Sequence, residues 1–177
     1  MKQWKKTAVA LLALCLLSLC LCACGSTVTT EQANEYLDEE GTATNGAASG
    51  ECTLVIECKT ILDNKEKLDA AKEALVPEDG VVLAETTVAF DEGESVLDVL
   101  KRVTKEHKIQ MEFEKSPAYD GGYVNGIANL YEFDCGSTSG WEYYVNDWSP
   151  NYGCGNYILT DGDHIAWRYT CDNGKDL

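Results

Sequence analysis

The residues best suited to binding chemistry lie in one short segment near the C-terminal end of the chain. Residues 145–153 read VNDWSPNYG, and they carry Trp148 and Tyr152 among turn formers without the alternation of a strand. Aromatic side chains on a loop offer planar contacts at a low entropic cost, and Asn146 and Asn151 add amide donors and acceptors. We expect Trp148 and Tyr152 to contact a ligand or a partner. The alternative is that both rings fold back over a sheet edge.

A second aromatic segment precedes the first. Residues 119–123 read YDGGY, and the paired glycines predict a loop that places Tyr119 and Tyr123 on the same rim. The remaining aromatic residues of this region alternate along predicted strands, so we expect them to pack in the core. They are Tyr131, Trp141, Tyr143, Trp167 and Tyr169.

Charge and composition exclude several classes of function. The 177 residues contain 14 Lys and Arg against 30 Asp and Glu, a net charge of −16, which disfavours nucleic acid as a partner. We find no nucleophile–base constellation, phosphate loop or metal-ligand spacing, and we therefore predict a protein that is not an enzyme and needs no cofactor or metal. Asp161 and Asp163 flank Gly162 and predict a tight turn, because a calcium site needs six or more oxygen ligands.

The N-terminus is typical of an export signal. Three lysines precede an apolar run over residues 8–22, which is shorter than the ~20 residues of a membrane span. The sequence LCAC at residues 21–24 resembles a bacterial lipobox, so we predict a lipoprotein signal peptide over residues 1–23 and a lipidated Cys24. An ordinary secretory signal is the alternative. Cys22 is a poorer anchor, because Leu21 would then stand at −1, where a small residue is needed.

The chain after the signal divides into a tether and one domain. Residues 24–50 are rich in Ser, Thr, Gly, Ala and acidic residues and predict a flexible acidic linker. Residues 51–177 predict a folded domain. We expect this domain to lie on the outer face of the bacterial cytoplasmic membrane, to which the acyl chains of Cys24 anchor it.

The order of elements predicts an α+β fold. A helix is expected over residues 65–75, and a second follows the capping box Ser95-Val-Leu-Asp98. One main helix on one face of a mixed sheet favours a β-grasp-like arrangement, in which the first and last strands are parallel and central. The predicted strands are residues 52–58, 81–90, 109–114, 130–134, 140–146, 156–159 and 164–170.

Five cysteines remain after the anchor, and in an exported protein they predict disulfides. Their spacing does not fit a zinc cluster. Cys58 and Cys171 would meet at the carboxyl ends of the two central strands, and Cys135 and Cys154 would clamp the hairpin around residues 140–146. Cys52 is left over, and a pairing that exchanges it with Cys58 remains open.

Three stretches resemble a known family. Residues 95–100 (SVLDVL), residues 122–127 (GYVNGI) and the closing run from Gly140 to Tyr169 are similar to the transcobalamin-like C-terminal domain, whose bacterial form is catalogued as DUF4430. The closing run, with its WEYYVN and DGDHIAW segments, is the most specific. The resemblance covers residues 52–171 and implies a β-grasp-like fold.

The resemblance also implies a ligand. In the vertebrate cobalamin carriers this module is one jaw around cobalamin, and an (α/α)6 barrel is the other. We expect the barrel to be absent, because the residues after the signal are too few to hold it. We therefore predict a lipid-anchored binding module for cobalamin or a related small ligand, acting with a transporter or a second binding domain. The alternative is a cell-surface module that binds protein or glycan through the same aromatic side chains.

Overall fold

The structure, a computed structural model, describes residues 49–116 and 119–177, without the side chains of residues 116, 119 and 120. The predicted signal peptide, the predicted anchor Cys24 and the predicted linker up to residue 48 lie outside this part. No helix within the described residues is long and apolar enough to cross a membrane.

Strands dominate the two described ranges. The strands are β1 (Gly50–Glu57), β2 (Val81–Phe90), β3 (Met111–Ser116), β4 (Tyr119–Ile127), β5 (Leu130–Tyr131), β6 (Gly140–Val145) and β7 (His164–Thr170). The helices are α1 (Lys59–Leu62) and α2 (Val96–Glu106), with 3-10 turns at Lys65–Lys67, Ala70–Leu75 and Cys154–Asn156.

The strands form two sheets. The larger has the order β2-β1-β7-β6, and β1 runs parallel to β7, with Leu54 opposite Ile165. The first and last strands are therefore parallel and central, which confirms the predicted fold. The smaller, antiparallel sheet has the order β3-β4-β5.

One hydrophobic core joins the larger sheet to the main helix. Alternate residues of β1 and β6 are buried, as expected for a sheet with one covered face, whereas every residue of the central strand β7 except His164 and Arg168 is buried. The predicted capping box is present, since the Ser95 hydroxyl accepts from the Asp98 amide and the Asp98 carboxylate accepts from the Ser95 amide. The helix then contributes one buried face to the same core: Val96, Leu97, Val99, Leu100 and Val103.

The predicted helix over residues 65–75 is wrong in type. Leu68 is extended, with ψ of 136°, and it separates two 3-10 turns. Its side chain is buried in the core, and the Asp69 amide donates to the Asp134 carbonyl at 2.8 Å. Tertiary contacts thus override the helical propensity of this stretch.

Two predicted strands are shorter or missing. Only Leu130–Tyr131 of the predicted strand 130–134 pairs with β4. The predicted strand 156–159 is replaced by the 3-10 turn Cys154–Asn156 and a single bridge between Ser95 and Ile158. That bridge ties the start of α2 to the segment before β7.

The predicted loop over residues 119–123 is instead the first half of β4. Gly121 and Gly122 have φ of 88° and 85°, yet the strand continues through them and pairs with β3. The register shifts between Glu114 and Ser116, which is the signature of a bulge. Two glycines that predict a loop are thus equally compatible with a bulged strand.

Candidate ligand-binding cavity

An open cavity of about 620 Å³ lies where the two sheets meet. Four parts of the chain line it: residues 122–124 of β4, residues 141–143 of β6, the segment 149–154 with Asn156, and Trp167 of β7. A cavity of this size falls within the range of small-molecule sites.

Three buried aromatic residues contribute to the lining. Trp141 and Tyr143 lie on the buried face of β6, and Tyr143 is opposite Trp167 of β7, with ring centroids 5.6 Å apart. The alternation of the two strands places all three side chains on the covered face of the sheet. Strand alternation predicts core packing for these residues, and in the structure they also line the cavity.

Their polar atoms differ in one decisive respect. The indole N–H of Trp141 donates to the Leu130 carbonyl at 2.8 Å, and the Tyr143 hydroxyl donates to the Tyr152 carbonyl at 2.8 Å. The indole N–H of Trp167, a residue only 2% exposed, has no hydrogen-bond partner among the described residues. The other buried polar side-chain atom without one, Asn125 Oδ1, belongs to a residue outside the lining. The structure therefore leaves one donor unused on a residue that lines the cavity, and this N–H is itself covered by surrounding atoms.

Residues 146–153, here called the rim segment, follow β6, and residues 149–153 of this segment line the cavity. Asn146 and Asp147 have φ of 53° and 61°, the backbone of a type I′ turn, and Val145 bridges to Trp148 immediately after it. Trp148 and Tyr152 are 53% and 41% exposed, with ring centroids 6.1 Å apart. Neither ring is buried in the core. Of the two, Tyr152 lines the cavity.

The two asparagines of the rim segment have different surroundings. The side-chain amide of Asn146 donates to Asp163 Oδ1 at 2.8 Å, and its oxygen accepts from the His164 amide at 2.9 Å. Asn146 therefore fastens the turn to the start of β7. Asn151 is exposed and lines the cavity.

The second predicted aromatic pair is only partly described. Tyr123 lines the cavity from β4, and its hydroxyl donates to Glu132 Oε2 at 2.6 Å. The side chain of Tyr119 lies outside the described residues. The structure thus brings Tyr123, Asn151 and Tyr152 together around one cavity, with Trp148 beside Tyr152.

Close contact between β4 and the end of the rim segment depends on glycine. A Cβ at Gly155 would stand 2.6 Å from the Gly121 carbonyl oxygen, and a Cβ at Gly121 would stand 2.9 Å from the Gly153 carbonyl oxygen. Both distances are shorter than real Cβ contacts. The two backbones can therefore approach each other only without side chains at these positions.

The cavity is nearly uncharged. Glu142 is the one acidic residue in the described lining, which contains no Lys, Arg or His. Burial raises the pKa of the Tyr143 hydroxyl and raises the pKa of the Cys154 thiol to about 11. Both groups are therefore neutral at neutral pH, and Cys154 offers no thiolate nucleophile.

The five described cysteines are free thiols, and their placement differs from the predicted pairing. Cys135 Sγ lies 3.2 Å from Cys171 Sγ, whereas Cys154 Sγ lies against the Gly121 carbonyl at 4.0 Å. The chain turns after the short strand β5, where the Asp134 amide donates to the Tyr131 carbonyl at 3.3 Å, and Cys135 then lies beside Cys171 at the end of β7. The predicted partner of Cys135, Cys154, thus lies elsewhere, beside β4.

The other cysteines do not form a metal centre. Cys58 follows β1 and is buried, and burial raises the pKa of its thiol to about 12. Cys52 is also buried, with its sulfur 3.6 Å from the Val88 carbonyl. Within residues 49–116 and 119–177, no group of three or more His, Cys, Asp or Glu residues could hold a metal ion.

Sequence comparison identifies the domain that contains the cavity. Residues 93–171 match the DUF4430 domain, a domain of unknown function. The match confirms the predicted resemblance for the part of the chain from Gly93 to Cys171, which includes α2, β4, β6, the rim segment and β7. No curated protein matches the chain.

Two solved structures resemble the chain at low sequence identity. Haptocorrin in complex with Cbi is 15% identical, with a TM-score of 0.46 over 68% of this chain and 25% of haptocorrin. A proposed metal-binding protein from Ruminococcus gnavus is 13% identical, with a TM-score of 0.41 over 69% of this chain and 97% of that protein. The chain thus spans about a quarter of the length of haptocorrin.

Proposed function

We propose that this protein is a non-catalytic binding module that holds a small ligand in the cavity between β4, β6 and the rim segment. The unpartnered indole N–H of Trp167 carries the proposal. A buried donor without a partner costs about 1–3 kcal/mol, so such donors are rare in folded proteins. A ligand that accepts a hydrogen bond from Trp167 would remove this cost, once the atoms that cover the N–H move aside to admit the acceptor.

The lining defines the chemistry of the ligand. Aromatic side chains surround the cavity, and Glu142 is the single charged residue among the described residues of its lining. An anion would lose its hydration without gaining a cationic partner. The ligand is therefore a neutral or cationic molecule with an apolar face and at least one hydrogen-bond acceptor.

A corrinoid of the cobalamin type is the first candidate. The resemblance of residues 140–169 to the transcobalamin-like domain supports it, and corrinoid side-chain amides supply acceptors. The open side of the cavity leaves part of a large ligand exposed. A partner, either a transporter or a second binding domain, would cover that part.

Calorimetric titration of the purified full chain with cyanocobalamin tests the proposal. We expect saturable binding that weakens about tenfold in Trp167→Phe, because the variant keeps a ring but loses the donor. Trp141→Phe is the matched control, since its N–H already has a partner in the protein. Absence of binding at tens of micromolar, alone and with candidate partners, would rule out cobalamin. Equal affinity in both variants would rule out the role of Trp167.

The location of the module is also a proposal. We infer export and anchoring through Cys24 from the lipobox resemblance of residues 21–24. In cells fed a palmitate analogue, we expect the protein to be labelled and Cys24→Ala to abolish the label. Cys22→Ala should keep it. If only Cys22→Ala lost the label, Cys22 and not Cys24 would be the lipidated residue.

Exposed aromatic residues favour one second candidate. Trp148 is half exposed and is not part of the cavity lining, so its ring is available to a protein or glycan surface. In a pull-down with cell-wall material, Trp148→Ala would abolish capture and Trp167→Phe would not. Capture that is lost in Trp167→Phe and kept in Trp148→Ala would favour binding in the cavity instead.

A further inference from the structure

We propose that Cys135 and Cys171 form a disulfide bond that ties the β5–β6 connection to the end of β7. The two sulfurs already lie 3.2 Å apart, and the two residues are 0% and 3% exposed. A disulfide needs about 2.05 Å, so each sulfur has to move by only about half an ångström. This bond is independent of ligand binding.

The surroundings hold both cysteines in place. The Cys135 amide donates to the Ser139 hydroxyl at 3.0 Å, and Ser139 also hydrogen-bonds the hydroxyl of Tyr169, two residues before Cys171. On the other side, the Cys171 amide donates to Asp176 Oδ2 at 2.8 Å. Both backbones are thus fixed on either side of the sulfur pair, and the bond can form without rearranging the sheet.

The chemistry requires a disulfide oxidant of the thiol–disulfide exchange class. One cysteine thiolate attacks the oxidant, forms a mixed disulfide and releases one thiol. The second cysteine then attacks the mixed disulfide, which forms the Cys135–Cys171 bond and releases the second thiol. Two electrons and two protons pass from the cysteines to the oxidant.

Burial determines when this exchange can take place. It raises the pKa of the Cys135 thiol to about 12 and also raises the pKa of Cys171, so the folded protein holds almost no thiolate at neutral pH. The bond therefore forms while the chain folds. An oxidising compartment, as the predicted export signal implies, supplies the oxidant.

Cys58 is the competing partner. It lies close enough to Cys171 for that residue to add to the rise in the pKa of the Cys58 thiol. Thr60, two residues later, contacts Cys171 Sγ through its hydroxyl at 3.8 Å. Topology alone predicts the pairing of Cys58 with Cys171. The observed sulfur contact selects Cys135 instead.

Peptide mapping tests the pairing. The full chain is unfolded in urea, refolded in a buffer of reduced and oxidised glutathione, alkylated and digested with chymotrypsin, which cuts between Cys135 and Cys154. We expect a linked peptide that contains Cys135 and Cys171. A peptide that links Cys58 to Cys171, one that links Cys135 to Cys154, or alkylation of both Cys135 and Cys171 would overturn the proposal.

Thermal unfolding gives a second readout. The bond closes a loop of 36 positions, so we expect reductant to lower the Tm of the refolded protein by about 10 °C. Cys135→Ser should remove this sensitivity, whereas Cys154→Ser should keep it. Equal sensitivity in both variants would contradict the proposal. If Cys135→Ser does not fold, the peptide map of the unmodified chain tests the pairing by itself.

Discussion

Trp141 and Trp167 form a natural comparison at the scale of single residues. Both are buried tryptophans beside the cavity, one on β6 and one on β7, but only Trp141 has a partner for its indole N–H. Hydrogen bonding, rather than burial, therefore separates a tryptophan whose N–H is held by the fold from one whose N–H has no partner among the described residues.

Stability measurements should show this difference without any ligand. Trp→Phe removes similar volume at both positions, but only Trp141→Phe also breaks a hydrogen bond to Leu130. We expect Trp141→Phe to lower the free energy of unfolding by about 1 kcal/mol more than Trp167→Phe does. Urea denaturation of both variants measures it. A larger loss in Trp167→Phe would mean that its N–H has a structural partner.

Tyr143 connects the core to the rim segment through one hydrogen bond. Tyr143→Phe removes the donor to the Tyr152 carbonyl. We expect the free energy of unfolding to fall by about 1 kcal/mol and the amide hydrogens of residues 149 and 151–153 to exchange faster. Tyr144→Phe is the control, because Tyr144 occupies the opposite face of β6 and its hydroxyl contacts Glu142. Unchanged exchange in the Tyr143 variant would show that the rim segment is held by other contacts.

Among the elements, α2 depends most clearly on its first residues. The Ser95 hydroxyl donates to the Asp98 carboxylate at 2.6 Å, and this hydrogen bond is the main cause that lowers the pKa of Asp98. A carboxyl group with a lowered pKa in the folded state stabilises the protein above its unfolded pKa. That contribution is lost as the pH falls through the folded pKa.

Ser95→Ala should therefore have a pH-dependent cost. We expect the variant to lose about 1 kcal/mol of unfolding free energy at pH 7, because the helix loses its N-cap. The difference from the original chain should shrink below about pH 4, as Asp98 becomes protonated in both proteins. Urea denaturation at pH 7 and pH 3 measures it. A difference that does not depend on pH would remove Asp98 from the explanation.

The contact between β4 and the rim segment makes a similarly specific prediction. In Gly155→Ala the new Cβ meets the Gly121 carbonyl at 2.6 Å, so the two segments must separate. We expect a Tm several degrees lower and weaker ligand binding. Gly93→Ala is a useful comparison, because its Cβ meets no atom within 4 Å, although its φ of 84° adds backbone strain. A smaller effect at Gly155 than at Gly93 would contradict the close approach.

The sequence predicts those elements whose signals are local. The strand 81–90 and the Ser95 capping box agree with the structure for this reason. The parallel pairing of the end strands also agrees, but it is predicted from the order of the elements along the chain and not from a local signal. The strand through Gly121 and Gly122 could not be predicted, because its bulge depends on pairing with β3. The unpartnered N–H of Trp167 has no sequence signal either, since a missing partner is a property of the assembled core.

At the scale of the whole molecule, the cavity combines distant parts of the chain. One side comes from β4, the other from β6 and β7, and the rim segment closes the edge. The smaller sheet therefore acts as a wall, and the larger sheet provides the base. Substitutions that shift the two sheets relative to each other should alter ligand affinity even when they lie outside the lining.

The pairing of β1 with β7 also governs how the chain is made. Thr53 is opposite His164, 111 positions later, so the middle of the larger sheet is incomplete until nearly the whole polypeptide has been synthesised. A nascent chain that lacks β7 exposes the edges of β1 and β6, the two strands that pair with it. Such a chain cannot complete its core during translation and folds only after β7 has been synthesised. A chain that ends before His164 would therefore lack a central strand of the larger sheet, and we expect it not to fold.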